Sequence, residues 1–356
     1  MNAAVIAARG RAGGRSIVRR PVALAAIGVA ALAAVFVAGV AAGSVFVPPG
    51  DTIAILAHRL LGLDLGVAWT SAEETIVFDL RLPRVLMAMT VGVGLAVAGA
   101  TFQGVLRNPL ADPYVLGTAS GAALGAAIAV ILPVRAVVLE FGLLHGLAFA
   151  GALGAVFLVY RFSRVGGHGQ MTSLLLTGYA IASLLAAGLS MAMFVSGAGL
   201  RQIFSYLLGG FEAASWIRFA TALPLIAGAA LLIALRARSL NGFLLGEEAA
   251  AHLGVDVRRE RAILLGLASL ATAAAVAVSG LIGFVGLVAP HVVRLAVGPN
   301  ARIVLPLAAL FGAILMTGAD LVARLVGDVP VGVVTAVIGA PFFLVLLRRT
   351  RAGYDL

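Results

Sequence analysis

The stretch RLPRVLMAMTVGVGLAVAGATFQGVLRNPLADPYVLGTASGAALGAA, residues 81–127, decides the fold. From Val85 to Leu106 it holds no ionisable side chain, and these 22 residues at about 1.5 Å each can cross a bilayer core of about 30 Å. The run breaks at residues 107–113, where Asn108 and Asp112 each precede a proline. Irregular backbone beside lipid is tolerated only where protein or a water-filled cavity satisfies it. Residues 107–113 therefore predict a bent connector that lines a pathway through the membrane.

The composition predicts an all-α, polytopic membrane protein surrounded by lipid. The chain is 62% hydrophobic and 11% charged, which a soluble domain of 356 residues would not tolerate. Its net charge of +10 would suggest nucleic acid in a soluble protein. Here the arginines lie between apolar runs, so membrane topology explains them better and no nucleic-acid partner is expected.

Apolar runs long enough for a membrane recur along the chain and predict about ten transmembrane helices. The first run has 23 residues, which is too long for the apolar region of a signal peptide and favours an uncleaved span. The predicted spans are residues 21–43, 82–106, 114–132, 143–160, 173–195, 216–235, 262–280, 283–293, 304–325 and 331–347. Residues 21–347 thus form a single transmembrane domain, and residues 196–215 are expected to hold a short helix that does not cross.

The distribution of arginine predicts the orientation. With ten spans, eighteen arginines fall on one side, which includes the basic residues 1–20 and the tail 348–356, and seven fall on the other. The side rich in arginine is expected to be cytoplasmic. Both termini and the polar segment 236–261 are therefore placed in the cytoplasm, and residues 44–80 form an external loop with an interfacial helix at 52–61.

Several types of chemistry are disfavoured by what the sequence lacks. There is no lysine, and a phosphate-binding P-loop needs one, so the chain itself is not expected to bind ATP. There is no cysteine, and the five histidines are isolated, so no metal site is predicted. No nucleophile lies in a pattern with a base, and the chain is not expected to be an enzyme.

Seven motifs occur in an order and spacing that resemble the FecCD-type permeases of bacterial importers for iron-siderophores, haem and vitamin B12. The motifs are RLPR (81–84), FQGVLRNPLADP (102–113), LRQ…LLGGF (200–211), LGEEAAAHLGVD (245–256), GFVGLVAPHVVR (283–294), GADLVAR (318–324) and PVGVVTAVIGAPFFLVLL (330–347).

The resemblance implies a type II ABC importer permease fold in the bacterial inner membrane. It also implies the partners: a second permease copy, in a homodimer as the simpler expectation, two cytoplasmic ATPase subunits that bind ATP and Mg²⁺, and an external substrate-binding protein. No cofactor is expected in this chain itself.

Residues 246–254 predict a short helix with acidic residues at its start and glycine at its end. A surface helix without a partner is the alternative. By resemblance, this helix couples to the ATPase through a set of six residues: Leu245, Gly246, Glu247, Glu248, Leu253 and Gly254.

Three arginines at the outer ends of spans resemble positions that contact acidic residues of the binding protein: Arg81, Arg84 and Arg324. Anchoring of helix ends at the interface is the alternative. Arginine suits bidentate contacts with carboxylates. Asp320, four residues before Arg324, is expected to share a helix face with it and to orient it.

The resemblance also places a cytoplasmic gate at Asn108 and Leu110, with Gln170 and Met171 as its second part. The vitamin B12 permease has hydroxyl residues at the second position, so this chain departs from the pattern there. Arg201 and Gln202 are expected near an outer substrate vestibule.

Two other functions remain open from the sequence: an ion-coupled secondary carrier and a passive channel. A carrier would normally bury acidic residues near the middle of the membrane, whereas every acidic residue here is predicted near a span end or in a loop. A channel would not need the predicted helix at residues 246–254, which is interpreted as a contact with an ATPase. Among substrates, the breadth of the family favours an iron chelate over cobalamin.

Overall fold

The structure is a computed structural model that describes residues 3–43, 45–132, 137–138, 141–163 and 170–351. Within these ranges almost all residues are helical. The fifteen α-helices are α1 Ala3–Ala41, α2 Pro49–Leu61, α3 Ser71–Glu74, α4 Leu82–Val105, α5 Thr118–Ile131, α6 Leu143–Ser163, α7 Gln170–Val195, α8 Leu200–Leu208, α9 Trp216–Leu235, α10 Ala237–Leu245, α11 Glu247–His252, α12 Val257–Ser279, α13 Val285–Val297, α14 Ala301–Leu325 and α15 Val331–Arg351.

Shorter elements join some of these helices. A π-helical stretch at Thr75–Arg81 links α3 to α4, and 3₁₀ turns lie at Pro113–Leu116 and Gly197–Gly199. Strands β1 Val137–Val138 and β2 Phe141–Gly142 pair antiparallel.

The all-α, multi-pass membrane architecture is confirmed. Seven helical segments are long and apolar enough to cross a membrane, and three shorter apolar helices, Thr118–Ile131, Val285–Val297 and Val331–Val345, correspond to the remaining predicted spans. The third span is shorter than predicted, because Pro113–Leu116 forms a 3₁₀ turn and Gly117, with φ 77°, separates it from α5.

Helix α4 lies at the centre of the fold, and glycines set its packing. A Cβ atom on Gly92 would overlap the carbonyl of Gly312 in α14, and one on Gly99 would overlap that of Gly286 in α13. Since helices in a membrane gain stability from close backbone approach at small residues, these contacts hold α13 and α14 against α4. Almost every residue of α4 after Val85 is buried.

Helix α4 also defines two ends of the protein. At the Arg84 end, α4 begins and α1 and α14 finish, since Arg84 binds Asp320 near the end of α14. At the Glu247 end, α4 finishes beside α10, where Leu240 contacts Gly104.

The predicted loop at residues 44–80 contains more helix than expected. Helix α2 covers the predicted interfacial helix. A second helical stretch starts at Ser71 and continues into α4. Thr70 and Glu73 explain this start, because the Thr70 hydroxyl accepts the Glu73 N–H at 3.2 Å and the Glu73 carboxylate accepts the Thr70 N–H at 2.8 Å.

Candidate functional site

The Arg84 end contains a buried network of charge centred on Asp320. The Asp320 carboxylate is fully buried and lies 2.8 Å from Nη2 of Arg84 and 3.2 Å from Nε of Arg324. The Arg324 contact is the one expected from their spacing on a helix. Sequence could not reveal the Arg84 contact, because Arg84 belongs to α4 and lies 236 residues from Asp320. One carboxylate thus holds two of the three arginines predicted to dock a partner.

The third arginine, Arg81, binds the backbone at the end of α1. Its guanidinium donates to the carbonyl of Ala41 at 2.6 Å, to that of Val40 at 3.2 Å, and to that of Val45. Arg324 adds bonds to the carbonyls of Ala42 and Gly39, at 2.9 and 2.8 Å. Since the last carbonyls of a helix have no partner within it, these two side chains satisfy the end of α1.

A cleft of about 330 Å³ opens beside this network. All three arginines line it, together with Glu212 and Asp328. The arginines are nevertheless mostly buried, with side-chain exposures of 15% for Arg84 and 6% for Arg324. Any carboxylate that enters the cleft would meet cations that already have partners within the chain.

The predicted connector is bent, as the two prolines require. Helix α4 ends at Val105, and Arg107 has the left-handed φ of 48°. The side chain of Asn108 accepts the N–H of Leu110 at 2.9 Å, and that of Asp112 accepts the N–H of Tyr114 at 2.8 Å. Leu110 is half-buried on this connector.

The other two predicted gate residues can be placed only in part. Gln170 begins α7, but the side chains of Gln170 and Met171 lie outside the described part of the chain. Their role therefore stays a prediction.

The segment 236–261 forms a helical hairpin of α10 and α11 at the Glu247 end. Gly246 joins the two helices with φ 108°, a conformation that residues with a side chain rarely adopt. Gly254, with φ 81°, ends the second helix. The predicted helix 246–254 is thus present as the shorter Glu247–His252; Gly246 precedes it and Gly254 follows it, as expected for the glycine at its end.

Ion pairs attach this hairpin to the first turns of α12. Glu247 pairs with Arg261, and Arg236 pairs with Glu260 at 3.6 Å. Two apolar residues face away from the protein, since Leu245 is 69% exposed and Leu253 is 66% exposed. Both leucines belong to the hairpin and not to the apolar helices that are long enough to cross a membrane.

The hairpin also touches the connector at residues 107–113. Leu240 is buried against Gly104, one residue before α4 ends, where an added Cβ would lie 2.6 Å from the leucine. Arg107 of the connector approaches Gly246, with Nη1 3.4 Å from the position of a Cβ there. The hairpin thus lies against both the end of α4 and the connector.

Sequence reasoning missed Asn241, a polar link between the hairpin and α14. Its Nδ2 donates to Oδ1 of Asn300 at 3.0 Å, and its Oδ1 accepts the N–H of Ala301 at 2.7 Å. Asn300 is the N-cap of α14 and accepts the N–H of Arg302 at 3.1 Å. The available signal was at Asn300, which follows Gly298-Pro299 and precedes an apolar run. This pattern predicts a helix start at Asn300 but not its contact with Asn241.

The two predicted vestibule residues separate. Gln202 lines a cleft of about 650 Å³ with His145, Glu212 and Arg218, whereas Arg201 is exposed and does not line it. Among the residues that the structure describes, no group of three or more His, Asp or Glu side chains is placed to hold a metal ion.

Comparison with known proteins identifies the family. Residues 31–349 match the model of the FecCD transport family. The chain is 43% identical to the cobalamin import system permease protein of Halobacterium salinarum over 85% of both chains. The chain belongs to the FecCD transport family. It is also 40% identical to the hemin transport system permease protein of Yersinia pestis, over 82% of this chain and 90% of the relative.

A solved structure of a transporter shares the fold. It is a metal-chelate type ABC transporter in an inward-facing conformation, with a TM-score of 0.79 and 29% identity. The match covers 92% of this chain and 99% of that one. The FecCD chain described here is thus a multi-pass transport protein with the fold of a type II ABC importer permease.

Proposed function

We propose that this chain is the permease subunit of an ATP-driven importer for a bulky metal compound: an iron-siderophore, haem or cobalamin. Family membership supports the transport role, and similar relatives are named for cobalamin and for hemin. The observation that carries the ATP-driven mechanism is the α10–α11 hairpin, which presents Leu245 and Leu253 outside the apolar helices.

The Glu247 end is proposed to face the cytoplasm of a bacterial cell, within its inner membrane. There the hairpin contacts an ATPase subunit that binds ATP and Mg²⁺. Leu245, Leu253 and the exposed Glu248 provide the contact surface. Gly246 and Gly254 set the shape of the hairpin, and Glu247 fixes it to α12 through Arg261.

The Arg84 end is proposed to face outward and to receive a substrate-binding protein. Acidic side chains of that protein enter the cleft lined by Arg81, Arg84 and Arg324. Because these arginines already bind Asp320 and the end of α1, docking exchanges some internal contacts for external ones. Gln202 and Arg201 lie at this end, on α8, as candidate contacts for the arriving substrate.

The pathway is proposed to run between two copies of the chain, each joined to one of two ATPase subunits. An apolar surface supports a second copy: α7 is largely exposed along its length, with Leu184 67% and Phe194 85% exposed. Leu110, held by Asn108, closes the pathway at the Glu247 end, together with Gln170 and Met171 at the start of α7.

The test is whether the exposed leucines bind an ATPase. Replacing both Leu245 and Leu253 with Asp places charge on the contact surface without filling or opening the core. We expect the variant to insert normally and to lose the co-purifying ATPase subunits and ATP-driven uptake into proteoliposomes. Uptake is measured with a ferric siderophore, haemin and cyanocobalamin, each supplied with the partner binding protein.

The control is Leu231→Asn, which changes a leucine of similar exposure, 61%, in the last turns of α9. Its ATPase should remain attached. If the double variant kept a full complement of ATPase and transported normally, the coupling surface would lie elsewhere. If the wild-type chain bound no ATPase, the proposed function itself would be wrong.

A further inference from the structure

We infer that Asn241 is a positioning residue through which the α10–α11 hairpin moves α14, so that nucleotide binding at the Glu247 end alters the arginine network at the Arg84 end. This inference rests on the proposed function. It assigns a role to a side chain outside the docking, coupling and gate residues, and it starts from one pair of hydrogen bonds.

Asn241 links α10 to the start of α14. The Asn241 amide binds both the side chain of the N-cap Asn300 and the N–H of Ala301, the first residue of α14. Since the first N–H groups of a helix have no partner within it, Asn241 supplies an acceptor that α14 needs. Leu240 packs in the same core cluster as Val304 and Leu305, so the first turn of α14 has both polar and apolar ties to α10.

Helix α14 extends from the Asn241 contact to the Arg84 end. It is one continuous helix from Ala301 to Leu325, and Asp320 lies about 29 Å along its axis from Ala301. Pro306 removes one hydrogen bond close to the start of the helix. A kink there would allow the first turn to drift, and the contacts of Asn241 hold that turn in place.

Helices α14 and α4 are in close contact. Neither Gly92 nor Gly312 can accept a Cβ atom without overlap with the carbonyl of the other. At these two glycines the helices touch through their backbones, with no side chain between them that could repack. The two helices are therefore expected to move as a unit.

At the far end of this unit, Asp320 holds Arg324 on α14 and Arg84 on α4. Arg324 also donates to the last carbonyls of α1. A shift of α14 relative to α1 therefore changes which acceptors the arginines reach, and with them the affinity for an acidic partner.

The experiment measures this linkage between the two ends. The full chain with its ATPase subunits is placed in lipid nanodiscs, and the affinity for the partner binding protein is measured with and without a non-hydrolysable ATP analogue and Mg²⁺. If the ends are linked, the ratio of the two affinities differs from one in the wild type. We expect Asn241→Ala to reduce the factor by which the ATP analogue changes this affinity, by about fivefold or more.

Two further variants separate linkage from a local structural role. Asn241→Asp keeps the acceptor for Ala301 but replaces the donor to Asn300 by a second acceptor, so its ratio should lie between those of the wild type and the alanine variant. Ser239→Ala, on the same helix, should behave as wild type. If Asn241→Ala does not insert, Asn241→Ser replaces it, because the shorter side chain keeps a polar group but draws it away from Ala301.

The outcomes decide between the inference and the proposed function. A wild-type ratio of one, or an unchanged ratio in the alanine variant, would overturn the role of Asn241. So would loss of the ATPase from that variant, since Asn241 would then maintain the contact surface rather than the link. A wild-type chain that binds neither partner would instead overturn the proposed function.

Discussion

The contact residues predicted at the two ends of this permease differ in their exposure. At the Arg84 end, three arginines predicted to contact a partner are buried and bound within the chain, to one carboxylate and to the carbonyls at the end of α1. At the Glu247 end, the predicted contact residues Leu245 and Leu253 are largely exposed. The predicted contact residues are therefore open to a partner at one end and occupied by internal contacts at the other.

This difference suggests different modes of association. An exposed apolar surface can bind a partner continuously, because burial of its leucines is favourable and no internal contact must break. Arginines bound to Asp320 and to backbone carbonyls can accept a new carboxylate only by giving up part of what they hold. Association at the Arg84 end should accordingly be weaker, and it should depend on the position of α14.

The largest expected effect comes from removing the charge at the centre of the Arg84 end. Asp320→Asn leaves Arg84 and Arg324 buried without a counter-charge, and the loss of one partner from a buried ion pair costs about 3–5 kcal/mol. We expect a clear fall in the melting temperature of the purified chain in detergent. Asp328→Asn, an exposed aspartate that lines the same cleft, should leave it nearly unchanged. Equal melting temperatures for both variants would show that the buried network contributes little.

An intermediate effect is expected at the connector of the Glu247 end. Leu110→Ala removes an apolar side chain that the proposed gate buries when closed, which is worth about 1.5–3 kcal/mol. Proteoliposomes that hold the complex should then release preloaded substrate without ATP. The control is Leu106→Ala, a buried leucine of the same region that packs in the core and should lower stability without a leak. Tight retention by Leu110→Ala vesicles would place the gate at other residues.

The sequence predicted the fold well because membrane spans depend on local composition. Runs of apolar residues and the distribution of arginine identified ten segments, and Pro109 and Pro113 predicted the bend after α4. Helix from Ser71 onward was missed, since the capping pair of Thr70 and Glu73 lies in a segment that is polar enough to read as a loop.

Contacts between distant segments could not be predicted in the same way. Arg81 binds backbone carbonyl groups. Every residue type carries such a group, so the sequence does not indicate which carbonyls will accept. Asn241 and Asn300 are 59 residues apart, and Asn300 is the N-cap of α14 whereas Asn241 is an ordinary polar residue in the middle of α10. Asp320 with Arg324 was predictable because four residues of helix separate them, whereas Arg84 required the packing of α4 on α14.

The smallest expected effect distinguishes two neighbouring acids of the hairpin. Glu247 pairs with Arg261, whereas Glu248 is exposed and forms no ion pair with any residue in the described ranges. Since Glu247 is itself 42% exposed, its pair should contribute no more than about 1 kcal/mol, and high salt should weaken it. Glu247→Gln should therefore lower the melting temperature slightly at low salt, and the difference from wild type should shrink at 1 M salt, a concentration chosen to shorten the Debye length to about 3 Å.

Glu248→Gln should leave the melting temperature unchanged and weaken attachment of the ATPase instead, because the proposed role of Glu248 lies in the contact with the partner. The two measurements together separate a residue that holds the hairpin in place from one that faces the ATPase. If Glu247→Gln weakened ATPase binding at unchanged stability, and Glu248→Gln did the reverse, the hairpin would present its opposite face to the partner. Leu245 and Leu253 would then no longer be assigned to the contact with the ATPase.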